Sequence, residues 1–153
     1  MTRAEKAKEL FMSGYACSQA VALAFVDLTS VDFVSMQKLS LPLGGGLSRL
    51  REVCGAVTGM SLIVGLLFSK DESTEENKKN TYAIMQELAK RFKEEKDTLI
   101  CKELLINAGV NLEVGGAPEK RTQKYYHHRP CEEIVYVAAR ILEDYLIEKN
   151  IIK

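Results

Sequence analysis

The chain has 153 residues, with 21 basic and 21 acidic side chains, two histidines and four cysteines. This length predicts a single domain, residues 1–153, that buries a core without needing a covalent cross-link. The zero net charge provides neither a basic face for nucleic acid nor one for an anionic membrane. The N-terminus has no apolar signal segment, which predicts a cytoplasmic protein whose reduced cysteines serve metal or redox chemistry.

Helical spacing of apolar residues dominates the chain, and no alternating run is long enough for a strand. The predicted helices, in chain order, are residues 2–12 with a Thr2–Glu5 capping box, 17–28, 31–39 capped by Ser30, 53–68, a helix capped by Ser73 and Glu76, a short helix after Thr98 that contains Cys101, and 131–148 after Pro130. A loop is expected over residues 107–129. The predicted fold class is all-α, a single-domain bundle of six or seven helices.

The most apolar segment, residues 53–68, is the one candidate for a membrane span. It is shorter than the about 20 apolar residues that a span requires, and it contains Thr58 and Ser61. A helix that is apolar on all sides is typical of the middle of a bundle. We therefore expect residues 53–68 to form a buried central helix and the protein not to insert into a membrane.

The four cysteines are widely separated in sequence, and no two form a CxxC pair. This spacing argues against a zinc ribbon, a thioredoxin-type active site and a CxxCH haem attachment. Each cysteine falls at or near the predicted start of a different helix; they are Cys17, Cys54, Cys101 and Cys131. The partial positive charge of a helix N-terminus favours a thiolate and predicts a lowered thiol pKa.

Two interpretations of these cysteines follow from the residues alone. Cysteine is often buried as a small apolar side chain, so each could simply pack in the core. Four cysteines at four helix starts favour convergence on one shared thiol site at one end of the bundle. The sequence pattern supports the two interpretations about equally.

Four segments around the cysteines resemble a known family in the order in which that family has them. They are GYACSQAVALAF, GGGLSRLREVCGAVTG, CKELL and CEEIVYVAARIL. The chain is identified as a member of the redox-active family named for four cysteines and a CGAxxG motif. This family is similar to the C-terminal part of split-Soret cytochromes, in which the corresponding cysteines are thought to hold a 2Fe–2S type cluster.

The resemblance implies that Cys17, Cys54, Cys101 and Cys131 hold an iron–sulfur cluster, or act as redox thiols if no metal is bound. Clusters of this kind are commonly held by four thiolates, whose spacing in sequence need not be close. Such a cluster is readily lost when a protein is handled in air. Because the chain has no CxxCH, it is not expected to carry covalent haem.

Glycines next to Cys54 fit a site for such a cluster. Gly44, Gly45 and Gly46 permit positive φ angles and a close backbone approach, and turn amides there can donate to sulfur. Gly55 would leave space for a ligand beside the cysteine. Gly59 is interpreted equally well as a site of close helix packing.

Charged and imidazole side chains near the cysteines have two interpretations each. Arg49 and Arg51 would offset the charge of a dianionic cluster, or they would lie in solvent or pair with Glu52. His127 and His128 are candidate ligands because imidazole replaces thiolate in Rieske centres. In their loop context, an exposed position is the more common outcome for both histidines.

Three functions follow from these observations. The first is a redox-active protein whose converging cysteines bind an iron–sulfur cluster for electron transfer to an unidentified redox partner. The second is a metal-free thiol–disulfide protein, and the third is a helical binding or adaptor domain in which the cysteines only pack. No serine elbow, P-loop or HExxH motif marks a catalytic centre, so an enzymatic activity is left open. The neutral surface and the similarity to dimeric split-Soret cytochromes suggest a homodimer.

Overall fold

The computed structural model describes all 153 residues and contains eight α-helices, which confirms the all-α fold class. The helices are α1 (Arg3–Met12), α2 (Cys17–Leu23), α3 (Phe33–Ser40), α4 (Gly55–Phe68), α5 (Glu75–Lys96), α6 (Cys101–Asn107), α7 (Gln123–His128) and α8 (Cys131–Glu148). One further turn, Gly44–Leu47, is left-handed from Gly45 onward and is not counted with them. The only β-type pairing is an isolated bridge between Val53 and Ile100.

Four helices begin with a side-chain cap, and two of these caps correct the sequence prediction. Thr2 caps α1 as predicted. Asp32 rather than Ser30 caps α3, and Thr74 rather than Ser73 caps α5. In each case the capping residue is extended and its side-chain oxygen accepts the backbone N–H three residues on, which satisfies a free donor of the first turn.

The predicted boundaries differ from the structure at three other places. The central helix begins at Gly55 rather than at residue 53, because Val53 pairs with Ile100 in the isolated bridge. The second helix ends at Leu23, and the remainder of its predicted length forms a separate 3-10 turn, Val26–Leu28. The predicted loop contains α7, which Thr122 caps through a hydrogen bond from Tyr125 N–H. A helix of six residues is too short for a clear apolar period, which explains why the sequence did not reveal it.

Helix α4 lies at the centre of the bundle and contacts α2, α5 and α8, while α1 packs along α8. Its inner face is part of a core of 29 buried residues. Gly59 faces α2 so closely that an added Cβ would lie 2.5 Å from Ser18 O, as expected for close helix packing. Leu66 remains 43% exposed, so this chain does not cover the far side of the last turns of α4. None of the helices combines the length and hydropathy that a membrane span requires.

Candidate functional site

The cysteines occupy the starts of four different helices, as the sequence predicts. Cys17, Cys101 and Cys131 are the first residues of α2, α6 and α8, and Cys54 is the residue that precedes α4. All four are free thiols. Cys54 is buried, whereas the other three are partly exposed.

One cavity of about 430 Å³ brings the four cysteines together, since every one of them contributes to its wall. Gly44, Gly45, Arg49 and Gly55, which the sequence analysis placed at the site, also line this cavity. Gly46 does not line it but lies directly behind the wall, against the Cβ of Cys101. The arrangement is a thiol-lined cavity between helix starts, with space for a ligand larger than a single atom.

Backbone hydrogen bonds fix two of the cysteines relative to each other. The N–H of Cys54 donates to Leu99 O at 2.7 Å, and the N–H of Cys101 donates to Glu52 O, also at 2.7 Å. The segments that precede α4 and α6 therefore run beside one another for a short distance in opposite directions. As a result, the starts of these two helices lie side by side, and Cys54, Gly55 and Cys101 line the same cavity.

Gly55 makes room for the sulfur of Cys17. A Cβ added at Gly55 would lie 2.4 Å from Cys17 Sγ, 3.0 Å from Leu43 O and 3.1 Å from Gly44 Cα. These distances are well below van der Waals contact, so no other residue fits at this position without movement. The sequence analysis expected this space to admit a ligand, whereas in the structure the sulfur of Cys17 occupies it.

The segment after Gly44 has an unusual backbone. Five consecutive residues, from Gly45 to Arg49, have φ angles between 49° and 69°, and Arg51 has a φ of 63°. Non-glycine residues in this conformation cost about 1–2 kcal/mol each, and such strain tends to occur at functional sites. Glycine is required at Gly46 for a second reason, because an added Cβ would lie 2.6 Å from Glu52 N.

This left-handed segment directs two arginines inward. Arg49 and Arg51 are 9% and 6% exposed, and both line the cavity. Arg49 donates to the carbonyl of Ala117, while its Nε is buried without a hydrogen-bond partner. Arg51 donates through Nε to Glu113 O at 2.9 Å and through Nη1 to Cys101 Sγ at 3.7 Å.

Two further arginines line the cavity. Arg121 donates to the carbonyl oxygens of Phe11 and Tyr15, both at 3.1 Å. Arg129 has a side chain only 7% exposed and forms an ion pair with Glu119 at 3.1 Å. Glu119 is the only carboxylate that lines the cavity, so the four guanidinium groups outnumber the acids there.

Burial raises the pKa of three of the thiols, which contradicts the predicted effect of the helix starts. Desolvation raises the pKa of Cys54 well above its ordinary value, raises that of Cys131 to about 12 and also raises that of Cys17. The N–H of Gly45 acts in the opposite direction on Cys17 but does not outweigh burial. In the absence of a ligand, these thiols are therefore protonated at neutral pH.

A family model described as "Putative redox-active protein (C_GCAxxG_C_C)" matches residues 15–145. The chain belongs to this family. The matched range includes all four cysteines and the motif Cys54–Gly59. No curated protein and no solved structure matches the chain.

Four thiols line one cavity in this C_GCAxxG_C_C protein, but they are not arranged around a single ion. No group of three or more His, Cys, Asp or Glu side chains is placed to hold one metal ion. A single ion requires three or four ligands around one point, whereas a cluster distributes four thiolates over different iron atoms. His127 and His128 are exposed and do not line the cavity.

The arginines and the tyrosine near α7 are site residues that were not found from the sequence. They are Tyr125, which lies within α7, and Arg121 and Arg129, which lie just before and just after it. Tyr125 lies between the two arginines, with both guanidinium groups near its ring, 4.9 and 5.1 Å from the centroid. A cluster of arginine and tyrosine in a predicted loop carries no periodic signal, so only the fold identifies it as cavity wall.

Proposed function

We propose that this C_GCAxxG_C_C protein binds an iron–sulfur cluster through Cys17, Cys54, Cys101 and Cys131 and uses it to transfer electrons to a redox partner. The observation that carries the proposal is that four thiols and four guanidinium groups share one cavity. A bound cluster supplies a one-electron redox centre there. The free thiols suit a reducing compartment, so we place the protein in the cytoplasm.

Charge is the first argument for a cluster. Four arginines line the cavity together with one carboxylate, that of Glu119. Arg129 pairs with Glu119 at 3.1 Å and Arg49 pairs with Glu113 at 3.5 Å, whereas Arg51 and Arg121 form no ion pair. Buried charges are unfavourable unless they are paired, and protonated thiols provide no negative charge. A cluster with four thiolate ligands is anionic and would compensate these guanidinium groups.

The buried Nε of Arg49 is a second argument. It is one of only two buried side-chain nitrogen or oxygen atoms without a hydrogen-bond partner; the other is Thr81 Oγ1. Buried donors are nearly always satisfied, and an unsatisfied one calls for an explanation such as a ligand. An anionic cluster with sulfide and thiolate acceptors would supply a partner on this side of the cavity.

The same observations weigh against cysteines that only pack. Small apolar side chains in a core do not require buried arginines around them, and Arg51 already donates to Cys101 Sγ. Metal binding requires deprotonated thiols and therefore releases protons, which the surrounding positive charge favours. The raised pKa values of the free thiols describe the cavity without its ligand.

Within this site each residue type would have a distinct task. The four thiolates would be the ligands, and Gly55 would keep the space that the sulfur of Cys17 occupies. The arginines would stabilise the anionic centre and raise its reduction potential, since positive charge favours the added electron. Gly45 would contribute its N–H to the sulfur of Cys17.

Anaerobic reconstitution tests the proposal. We expect the purified chain, given iron and sulfide under a reductant, to become brown and to hold iron and sulfide in equal amounts. Single Cys→Ser variants at the four positions should each lose most of the bound iron. The matched control is the double variant His127→Ala/His128→Ala, which removes exposed metal-ligand side chains outside the cavity and should retain the cluster.

The alternatives give different results in the same assay. A colourless protein with two to four thiols that oxidise and reduce reversibly would replace the cluster with thiol–disulfide chemistry. A colourless protein with unreactive thiols would support the remaining hypothesis, a helical binding or adaptor domain in which the cysteines only pack in the core. Loss of the cluster in the histidine control would show that the cavity has been assigned the wrong ligands.

A further inference from the structure

The segment between α6 and α7 forms part of the rim of the thiol cavity. Residues 111–120 contain no helix, no strand and no buried residue, and we call them the lid. Gly116, Pro118 and Glu119 of the lid are exposed to solvent and line the cavity at the same time. The lid therefore separates the cavity from solvent on this side.

The other exposed part of the rim is closed by its own hydrogen bonds. Leu41, Pro42 and Ser48 are the remaining exposed residues that line the cavity. Ser48 donates both its N–H and its hydroxyl to Pro42 O, each at 2.8 Å. The lid has no such internal bond, since none of its N–H groups donates to a carbonyl within it. Its shape is thus set by its contacts with the rest of the protein.

Arg49 makes most of these contacts. The N–H of Gly115 donates to Arg49 O at 2.7 Å, and this is the only backbone N–H of the lid that donates to another part of the chain. The guanidinium of Arg49 donates to Ala117 O and to the carboxylate of Glu113, the latter at 3.5 Å. One buried arginine therefore holds the middle of the lid through both its backbone and its side chain.

Two further arginines make the remaining bonds. Arg51 donates through Nε to Glu113 O at 2.9 Å, and Arg129 donates to the carboxylate of Glu119 at 3.1 Å. Apart from a turn at its C-terminal end, the lid has no other hydrogen bond to the rest of the chain. Arg49, Arg51 and Arg129 all line the cavity, and we call them the latch arginines.

Apolar packing does not fix the lid. The hydrophobic core and the partly buried side chains that pack against it include no residue of the lid, and Val114 is 61% exposed. Both ends are anchored, since Val110 N–H donates to Leu105 O at 3.0 Å and Arg121 donates to Phe11 O at 3.1 Å. A segment held by a few polar contacts, without apolar burial, opens at a lower free energy than the whole chain.

We propose that residues 111–120 open locally to admit reactants to the four thiols and close over them, held in the closed position by the latch arginines. Local closure of this kind controls access to a site and excludes water from it. Gly115 and Gly116 have φ angles of 75° and 73°, and nothing lies within 4 Å of a Cβ added at either. Packing does not require glycine there, so these residues serve the backbone, which changes direction easily at glycine.

The latch connects the lid to the thiols. Arg51 donates through Nε to the lid and through Nη1 to Cys101 Sγ. Arg49 holds the lid with Nη1 and Nη2, while its buried Nε has no partner. A guanidinium has five N–H donors, so one arginine can hold the lid and contact the contents of the cavity at once. Closure of the lid and the positive charge around the thiols therefore depend on the same side chains.

The lid does not depend on what the cavity holds, so the metal-free, reduced full chain provides the test. Two thiol reagents are compared: iodoacetamide is small, whereas a maleimide on polyethylene glycol requires an open lid. Mass spectrometry gives the rate at each cysteine, including Cys54, which is 6% exposed. Glu119→Ala removes a latch bond and should raise the ratio of the large-reagent rate to the small-reagent rate at least about threefold. The matched control Lys120→Ala, at an exposed neighbour without an ion pair, should leave this ratio unchanged.

Hydrogen exchange provides a second readout. A change of charge at the thiols alters both labelling rates alike, so their ratio isolates the opening of the lid. Arg49→Lys keeps the charge but loses the forked contacts, so the Gly115 N–H should exchange at least about threefold faster relative to the most protected core amides. The proposal is overturned if the labelling ratio is equal in wild type, Glu119→Ala and Lys120→Ala. It is also overturned if the large reagent reaches the cysteines only as fast as the whole chain unfolds in urea.

Discussion

Gly55→Ala should separate the stability of the fold from the integrity of the thiol site. The new methyl group would lie 2.4 Å from Cys17 Sγ. A sulfur at the end of a short side chain relieves this overlap by rotation, which takes it out of its place in the cavity. The remaining overlaps, with Leu43 O at 3.0 Å and Gly44 Cα at 3.1 Å, require small backbone shifts.

The expected loss of stability is moderate. Overpacking of a buried site costs about 1–3 kcal/mol. Alanine in a helix is favoured over glycine by up to about 1 kcal/mol, which offsets part of this cost. We therefore expect Gly55→Ala to lower the free energy of unfolding of the metal-free protein by about 1–2 kcal/mol, or a few degrees in Tm.

Two other glycines of α4 provide matched controls. At Gly59 an added Cβ would lie 2.5 Å from the backbone oxygen of Ser18, which cannot rotate away, so Gly59→Ala should be more destabilising than Gly55→Ala. At Gly65 nothing lies within 4 Å, so Gly65→Ala should stabilise the protein by up to about 1 kcal/mol. From the most to the least stable, the order should be Gly65→Ala, wild type, Gly55→Ala and Gly59→Ala.

Urea denaturation of the metal-free variants and iron content after reconstitution provide the two readouts. Gly55→Ala should lose most of its iron although it is more stable than Gly59→Ala, so the loss of iron cannot be explained by unfolding. Gly65→Ala should bind iron as the wild type does. A Gly55→Ala protein with wild-type stability and a full complement of iron would refute the role assigned to Gly55.

Three further results are expected. Arg51→Gln should lower the reduction potential of the reconstituted centre by tens of millivolts in an EPR-monitored titration, because a positive charge that favours the reduced form is removed; an unchanged or higher potential would contradict this. The metal-free protein should lose stability as pH rises from 10.0 towards 12, because burial raises the pKa of Tyr125 from 10.0 to about 12 and the unfolded chain ionises first. Tyr125→Phe should reduce this loss in urea titrations at several pH values, and an identical pH profile would exclude the phenol as its source. The Arg3 guanidinium lowers the pKa of Asp27. The Arg3–Asp27 pair therefore contributes to the free energy of unfolding above the ordinary pKa of an aspartate, and this contribution is lost as pH falls through the lowered value. Because Asp27 is 63% exposed, Asp27→Asn should cost less than about 1 kcal/mol at neutral pH and flatten the acid side of the stability profile; a larger cost would show that the pair is not screened by solvent.

The sequence by itself determined the fold class and the helix starts that carry the cysteines. Apolar spacing identifies α4 and α8, and the residues Thr2 and Pro130 mark helix beginnings, because these signals depend only on neighbours along the chain. The placement of all four cysteines at helix starts was readable for the same reason. The exact capping residue was not predictable where several polar residues adjoin, because they compete for the same N–H groups. Asp32, for example, caps α3 in place of the predicted Ser30.

Only the tertiary structure decided what surrounds the thiols. Arg121 and Arg129 both lie more than a hundred residues after Cys17 in the sequence. They reach the cavity because the fold brings their segment to its wall. The raised pKa of Cys54 was also beyond the sequence: a helix start favours the thiolate locally, but desolvation depends on how completely other elements bury the sulfur. Charge and burial at a site are sums over everything that packs around it, and a linear sequence does not contain those distances.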